Sequence, residues 1–401
     1  MLNIAELKIR LILDGLRIDE SLAKYEKDYL YKRYYYGKSD RGVISFRAPQ
    51  EILLSPIGTV VGVTINNRSP WIIKTNNNSF AIYHNDDYIS EVFLPKKPWF
   101  YDANIKADKK RGCDYLSIYS AFVLSAFLKG SCEYFNDGLQ CHFCSLEPTR
   151  REYNDGEMLV SPEDIKKTAE VAAKYDYNRI ACANICSGTW RNRDYEIRYY
   201  SRVLRAMCEA EEATRIPPIK KHLVISPPDN IEQLKILKAS GATSIGMSIE
   251  VFDPKLFNEI CPGKAKNTGY KGFLTAYENA VNVFGAGNVY SDFICGLESI
   301  NSMIAGMEFM GKMGVVPAAN IFHPNPNSKL EHEKSPEYSY VREACLCLTD
   351  IYRNYKYKPP VFGLSRNSFD GEAYMGYFLE NRDFVKPEPL FIPSKDSLLM
   401  I

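Results

Sequence analysis

Residues 130–144 read Gly130-Ser131-Cys132-Glu133-Tyr134-Phe135-Asn136-Asp137-Gly138-Leu139-Gln140-Cys141-His142-Phe143-Cys144, three cysteines on one loop. The stretch before it, 115–128, is the most apolar uncharged run of the chain, too short to span a bilayer and expected as a buried core element. Candidate strands at 122–128, just before the loop, and at 179–185, 222–226, 244–251, 289–295 and 318–322 after it alternate with helical patterns at 162–174, 195–211, 231–239, 270–284 and 303–313. A last long helix is expected after Ser335, with Ser335 as N-cap and Pro336 at the first helical position. Six strands each followed by a helix imply parallel pairing with right-handed crossovers. The fold class is therefore α/β, a partial (β/α)6 TIM-like barrel with its functional site at the C-terminal ends of the strands. The cysteine loop follows the first of those strands.

Working outward, residues 1–110 are expected to form an N-terminal α+β domain, 111–358 the barrel and 359–401 a C-terminal extension packed as a flap. Residues 1–20 have the pattern of an amphipathic helix, and nothing in them resembles a signal peptide. Short β-like runs at 60–65 and 80–83 are separated by turn-forming Asn, Asp, Pro and Gly. The stretch 29–38 (YLYKRYYYGK) interleaves Tyr with Lys and Arg, a composition that can make a nucleic-acid surface. The formal charge of +1 supplies no general pull on nucleic acid or anionic membrane, which favours a packed helix with a solvated face. Of all residues 45% are hydrophobic and 25% charged, values that exclude a disordered, collagen-like or coiled-coil chain.

The eleven cysteines are odd in number in a long chain, which argues against a disulfide framework and for a reducing, cytoplasmic setting. Three thiolates on one loop can hold three irons of a 4Fe-4S cluster and leave the fourth iron open. Eight residues separate Cys132 from Cys141, and Asn136-Asp137-Gly138 within that gap is a turn that lets the insertion loop out while the thiols converge. The competing reading is a structural zinc site, because Cys141-His142-Phe143-Cys144 is also a zinc half-site, with His142 or Cys113 as further ligand.

Over roughly residues 115–345 the chain resembles the radical SAM superfamily, and within it the biotin-synthase-like branch. The usual family spacing is Cys-x3-Cys-x2-Cys; Cys141-His142-Phe143-Cys144 matches its second half and the first gap is longer here. The resemblance implies Cys132, Cys141 and Cys144 as cluster ligands and Phe143 beside the adenine of S-adenosylmethionine (SAM). It places Ser187, Gly188 and Thr189, after the second strand, at the methionine end of SAM, where Gly lets the backbone approach closely. Ser248 and Glu250, two apart on the fourth strand and so on one face, are implied for the ribose diol, and Ile294 for the adenine. A Glu250 salt bridge to a nearby Lys or Arg is the alternative for that residue. Arg191, Arg193, Lys264, His323 and Asn325 are the candidates for substrate contact.

The implied cofactors are a 4Fe-4S cluster and SAM, with an electron donor such as flavodoxin or ferredoxin. The implied activity is reductive cleavage of SAM to a 5′-deoxyadenosyl radical that abstracts hydrogen from a small-molecule substrate, with rearrangement or bond formation as the outcome. The second, sacrificial cluster of biotin synthase is not expected, since the third strand lacks cysteine and Cys295 falls on the opposite face from the family's fifth-strand position. A zinc-stabilised barrel hydrolase, and a non-catalytic iron–sulfur or nucleic-acid-binding module, stay open as rivals.

Overall fold

The computed structural model describes residues 3–30, 32–39, 42–54, 59–77, 79–106, 110–152, 159–359 and 366–379. Helix α1 (Ile4–Asp14) starts at Asn3, whose side chain accepts a hydrogen bond from the Ala5 N–H, and buries Leu7, Ile9, Leu11 and Ile12. It stops at Gly15, at φ +66°, short of the expected 1–20. A β-carbon there would lie 2.8 Å from the Thr64 carbonyl oxygen. Strand β1 (Arg17–Ile18) and the single turn α2 (Glu26–Tyr29) follow. The Tyr-rich stretch is not a helix. It forms β2 (Lys32–Ser39), paired antiparallel with β3 (Gly42–Ala48). Consecutive tyrosines suit a pleated strand better than a helix, where their χ1 freedom is restricted.

Strands β4 (Glu51–Leu54), β5 (Thr59–Gly62), β6 (Trp71–Asn76), β7 (Ser79–His84) and β8 (Asp87–Phe93) join β1 in a six-stranded sheet ordered β1-β6-β7-β8-β4-β5. Ile52, Leu54, Val61, Ile73, Ile82 and Val92 pack in one core with the apolar face of α1.

The apolar run 115–128 is two strands, not one. Ser120 and Ala121, at φ +50° and +62°, turn the chain between β9 (Ser117–Tyr119) and the antiparallel β10 (Val123–Phe127). Next come α3 (Leu146–Glu152), α4 (Pro162–Asp176), β11 (Cys182–Cys186), α5 (Arg193–Thr214), β12 (Lys220–Val224), α6 (Ile231–Ala239) and β13 (Ser244–Gly246). The chain continues through α7 (Pro254–Ile260), α8 (Pro262–Asn267), α9 (Tyr270–Phe284), β14 (Val289–Cys295), α10 (Ile300–Met313), β15 (Val315–Ile321), α11 (Tyr338–Tyr355) and α12 (Asp370–Tyr374). From β10 to β15 every neighbouring pair is parallel, in chain order. This is the expected six-stranded parallel sheet with helical crossovers, and it opens with an antiparallel strand that the sequence reading missed.

Two local expectations are corrected. The fourth strand ends at Gly246 rather than at 251, because Glu250 adopts φ +69° and rejoins the sheet only through a bridge to Phe293. Ser335 does not cap α11, whose N-cap residue is Glu337, without a side-chain cap. Pro336 instead lies close over Gly296, at the exit of β14.

Six parallel strands do not close on themselves, and the free edge of β15 is met by the segment after residue 365. Asn320 bridges Ser368, the Arg366 carbonyl accepts from the Gly62 N–H of β5 at 2.9 Å, and the Arg366 N–H donates to the Ser120 hydroxyl at 2.9 Å. Lys8 of α1 and Glu372 of α12 form a 3.0 Å ion pair with side-chain exposures of 0% and 3%. Of the flap expected over 359–401, residues 360–365 and 380–401 lie outside the described residues. Among the described residues no helix is long and apolar enough to cross a membrane. Removing one partner of a fully buried ion pair leaves an uncompensated charge. Lys8→Ala is therefore expected to lower unfolding free energy by about 3–5 kcal/mol in urea denaturation, and the paired change Lys8→Met with Glu372→Met to recover most of that loss.

Candidate active site

The eight-residue gap between Cys132 and Cys141 folds rather than dangles. Residues Glu133–Asp137 form a 3-10 turn, ended by Gly138 at φ +69°, and the Leu139 N–H returns to the Tyr134 carbonyl at 2.9 Å. Tyr134 is buried, so the insertion is anchored in the core. The far limb is pinned to the junction of α7 and α8: His142 N–H donates to the Ile260 carbonyl at 2.8 Å, and Gly263 N–H to the Leu139 carbonyl at 2.9 Å. This brings Cys132, Cys141 and Cys144 to one cavity of ≈ 210 Å³ at the C-terminal ends of the parallel strands. Among the described residues no three His, Cys, Asp or Glu side chains converge as they would on a single metal ion.

The second strand exit closes over this loop. A β-carbon at Gly188 would fall on the Ser131 carbonyl, so only glycine lets the two backbones lie together there. Gly188 N–H donates to the Lys129 carbonyl at 3.1 Å, and Glu133 N–H to that of Thr189 at 3.0 Å. The Ser187 hydroxyl accepts from Trp190 Nε1 and Tyr200 OH, at 3.1 Å each, and donates to the Gly188 carbonyl at 2.8 Å. That hydroxyl thus locks the turn and leaves the backbone to face the cavity.

Ser248 and Glu250 line the same cavity, although the regular strand has ended before them. Lys264 Nζ sits 2.7 Å from Glu250 Oε1 and 2.6 Å from the Ser248 carbonyl, which is the salt-bridge alternative for Glu250. Burial opposes the charge on Lys264, yet Glu250 and the thiols of Cys141 and Cys261 hold its pKa above the ordinary value. Ser248 Oγ donates to Asp292 at 2.7 Å, and Asn320 Nδ2 donates to the other oxygen of that carboxylate at 3.0 Å. Burial, then Glu250, raises the Asp292 pKa. A hydrogen bond from Cys261, reinforced by Lys264, lowers that of Cys141. Burial pushes Cys144 up to about 12, favouring the thiol over the thiolate.

No protein-family model matches the chain. Over 131 residues it is 34% identical to the bacteriochlorophyllide c C-7(1)-hydroxylase of Chlorobaculum limnaeum, a match covering 32% of this chain and 33% of the relative. The chain thus spans about one third of the curated relative it matches. Similar solved structures include a radical SAM methyltransferase from Sphaerobacter thermophilus, at 12% identity, TM-score 0.45, over 72% of this chain and 75% of that one. Another is the FeFe-hydrogenase maturase HydG from Carboxydothermus hydrogenoformans, at 18% identity, TM-score 0.44, over 59% and 53%. A third is methylornithine synthase, at 15% identity, TM-score 0.43, over 59% and 64%. Six parallel strands in chain order, with a three-cysteine loop after the first, decide the architecture. The fold is a partial (β/α)6 barrel.

In this barrel Phe143, Ser187, Gly188, Thr189, Ser248, Glu250 and Lys264 line the cavity with the three cysteines. The remaining sequence candidates do not. Arg191 is ion-paired with Asp137, and its N–H donates to Glu133 at 2.7 Å, so it braces the cluster loop from outside. Arg193 is buried against Glu196 at the start of α5. Ile294 is half-buried and donates its N–H to the Glu250 carbonyl at 2.9 Å. Burial lowers His323 to about 4, a neutral ring, while Asn325 is exposed and its carbonyl accepts the Ser328 N–H in a turn. The sequence reading passed over Val224, Ile225, Ser226 and Pro227 at the third strand exit, and Phe273 from α9. Their place at a strand's C-terminal end was the available signal for the first four; Phe273 carried none.

Gly188→Ala forces the second strand exit off the Ser131 carbonyl. Overpacking of this kind is expected to cost about 1–3 kcal/mol in thermal unfolding, with faster amide exchange at residues 131–134.

Proposed function

We propose that the chain is a radical SAM enzyme, holding a 4Fe-4S cluster on Cys132, Cys141 and Cys144 and SAM in the adjoining cavity, and acting on a small-molecule substrate. The observation that carries this reading is the gathering of the three thiols, the Ser187–Gly188–Thr189 turn and the Ser248, Glu250 and Lys264 group around one cavity. When bound, the cluster and SAM together supply reductive cleavage of the sulfonium bond, giving methionine and a 5′-deoxyadenosyl radical that takes a hydrogen atom from substrate.

The chain's own residues then have distinct tasks. The Gly188 turn presents backbone to the amino group of SAM without a side chain in the way. Lys264, with two of its three N–H donors engaged by Glu250 and the Ser248 carbonyl, has a third for the SAM carboxylate. This moves Lys264 from substrate binding to cofactor binding. The Glu250 oxygen not held by Lys264 accepts from the ribose diol, and Phe143 packs on the adenine. Asp292 lies one layer deeper than Glu250, between Ser248 and Asn320, and fixes the position of the Ser248 hydroxyl. Walls of Tyr134, Phe143, Phe273 and Ile225 keep water from the reacting carbon.

The curated relative is named a hydroxylase, and hydroxylation breaks a C–H bond. Hydrogen abstraction by this chain belongs to the same kind of chemistry, with rearrangement or bond formation as the outcome. A soluble low-potential donor in a reducing cytoplasm fits the requirement for electrons.

Anaerobically prepared protein is expected to carry iron and sulfide, and to release 5′-deoxyadenosine with SAM and dithionite. Changing Cys132, Cys141 or Cys144 to Ala should abolish both, while stoichiometric zinc without sulfide would sink the reading. Lys264→Met should keep iron and sulfide yet weaken SAM binding about ten- to hundredfold, the worth of a hydrogen bond to a charged group.

A further inference from the structure

The inner face of the barrel is hollow above a bottom layer that includes the buried Val123, Cys182 and Tyr290. On β10, β11, β14 and β15 every second residue is buried in the core against the helices, as Leu124, Ala183, Phe293 and Ala319 are. Residues between these point to the opposite face. There Ser125, Asn184, Asp292, Ile294 and Asn320 are only half-buried, and Phe127 is 42% exposed. A filled barrel would bury both faces of its strands. The hollow begins where the cofactor cavity ends: Ser248 lines that cavity, and its hydroxyl donates to Asp292 at 2.7 Å.

Its charge is negative. Among the described residues, the inward positions above the bottom layer hold no Lys or Arg; Lys220, on the same face, is exposed at the start of β12. His222 faces Ser244, with Nδ1 2.9 Å from its Oγ, and burial lowers the ring to about 4, so it is neutral. The basic side chains that the sequence offered for substrate contact are engaged elsewhere, Arg191 on Asp137, Arg193 on Glu196 and Lys264 on Glu250. Asp292 accepts hydrogen bonds from Ser248 and Asn320 and makes no ion pair with a described residue. Burial opposes its charge, so what this carboxylate lacks is a counter-ion. A second carboxylate stands behind it. Asn320 bridges Ser368, whose hydroxyl donates to Asp370 Oδ2 at 2.9 Å, while Oδ1 of Asp370, a residue only 2% exposed, has no hydrogen-bond partner. Burial, then Asp292, raises the Asp370 pKa to about 7.

We propose that the substrate carries a protonated aliphatic amine, and that its ammonium group sits in the barrel hollow against Asp292. That this molecule is a substrate rests on the radical SAM reading above. An ammonium supplies the missing positive charge, and its three N–H donors meet oxygens of Asp292 that still have lone pairs free. A few polar groups at the end of an otherwise apolar pocket fix the orientation of a small molecule. With the charged end at Asp292, the carbon chain runs past Ile294 towards the cofactor cavity, where hydrogen is taken. A carboxylate or phosphate in the same place would face two carboxylates with no cation to answer it, so the hollow also rejects anions.

The test is equilibrium dialysis of radiolabelled n-butylammonium, n-butanol and butyrate against the anaerobically purified protein, with SAM at saturation to fill the cavity around Lys264. Butylammonium should bind about tenfold tighter than the other two, the worth of a hydrogen bond to a charged group, and Asp292→Asn should remove that preference. If Asp292→Asn does not fold, Asp292→Ser removes the same charge, and the ranking of the three probes on wild type needs no variant at all. Equal binding of the three, or a preference for butyrate, overturns the proposal. So does a preference for butylammonium that survives in a folded variant without the Asp292 carboxylate. None of these measurements depends on electron transfer. Wild type that releases 5′-deoxyadenosine but shows no preference loses the ammonium site alone. Wild type that prefers butylammonium yet holds no iron or sulfide overturns the radical SAM reading, and with it the claim that the seated molecule is a substrate.

Discussion

The mouth of the barrel depends on one steric fit, the contact of the Gly188 turn with the backbone of Ser131 and Cys132. Two strand exits can lie this close only where one has no β-carbon. Once they do, Gly188 N–H reaches the Lys129 carbonyl and Glu133 N–H that of Thr189, so the cluster loop is held at both ends of its first limb. The second limb is held by the turn after α7. Between these clamps the eight-residue gap folds around a 3-10 turn, and the three cysteines line one cavity.

Charge at the mouth is arranged around Lys264. Lys264 is flanked by Glu250, the Ser248 carbonyl and the thiols of Cys141 and Cys261. A buried ammonium is stable only when paired and hydrogen-bonded. Glu250 reaches it from a left-handed backbone position, a local strain compatible with a strand that stops at Gly246 and is caught again at Phe293. The irregular end of the fourth strand is therefore what turns a sheet edge into a polar wall.

The barrel is left open by its strand count and completed by the rest of the chain. Residues 366–368 lie between the edge of β15 and the edge of β5, and Lys8 with Glu372 ties the first helix to the last described one. Leu53 and Val60 of the N-terminal sheet pack on Ala121 and Phe122 at the turn into β10. The N-terminal sheet is thereby part of the wall of the barrel.

The six parallel strands, the helices between them and the position of the three cysteines were legible in the sequence, because period-2 and period-3.6 patterns and turn residues are local signals. The Gly188 turn, Glu250 and Lys264 were also found there as candidates. Local patterns fail where a neighbour decides. Residues 32–38 of the Tyr-rich stretch became a strand because β3 was available to pair with them, and the run 115–128 was bent into a hairpin at Ser120 and Ala121. The arginines at 191 and 193 were drawn away from the cavity by Asp137 and Glu196, carboxylates whose nearness in space depends on how the loop and α5 pack. The backbone contact of His142 with Ile260, far apart in the chain, could come only from the tertiary fold. Sequence sets which side chains can hold iron or charge. Close packing of distant backbone segments decides which of them meet.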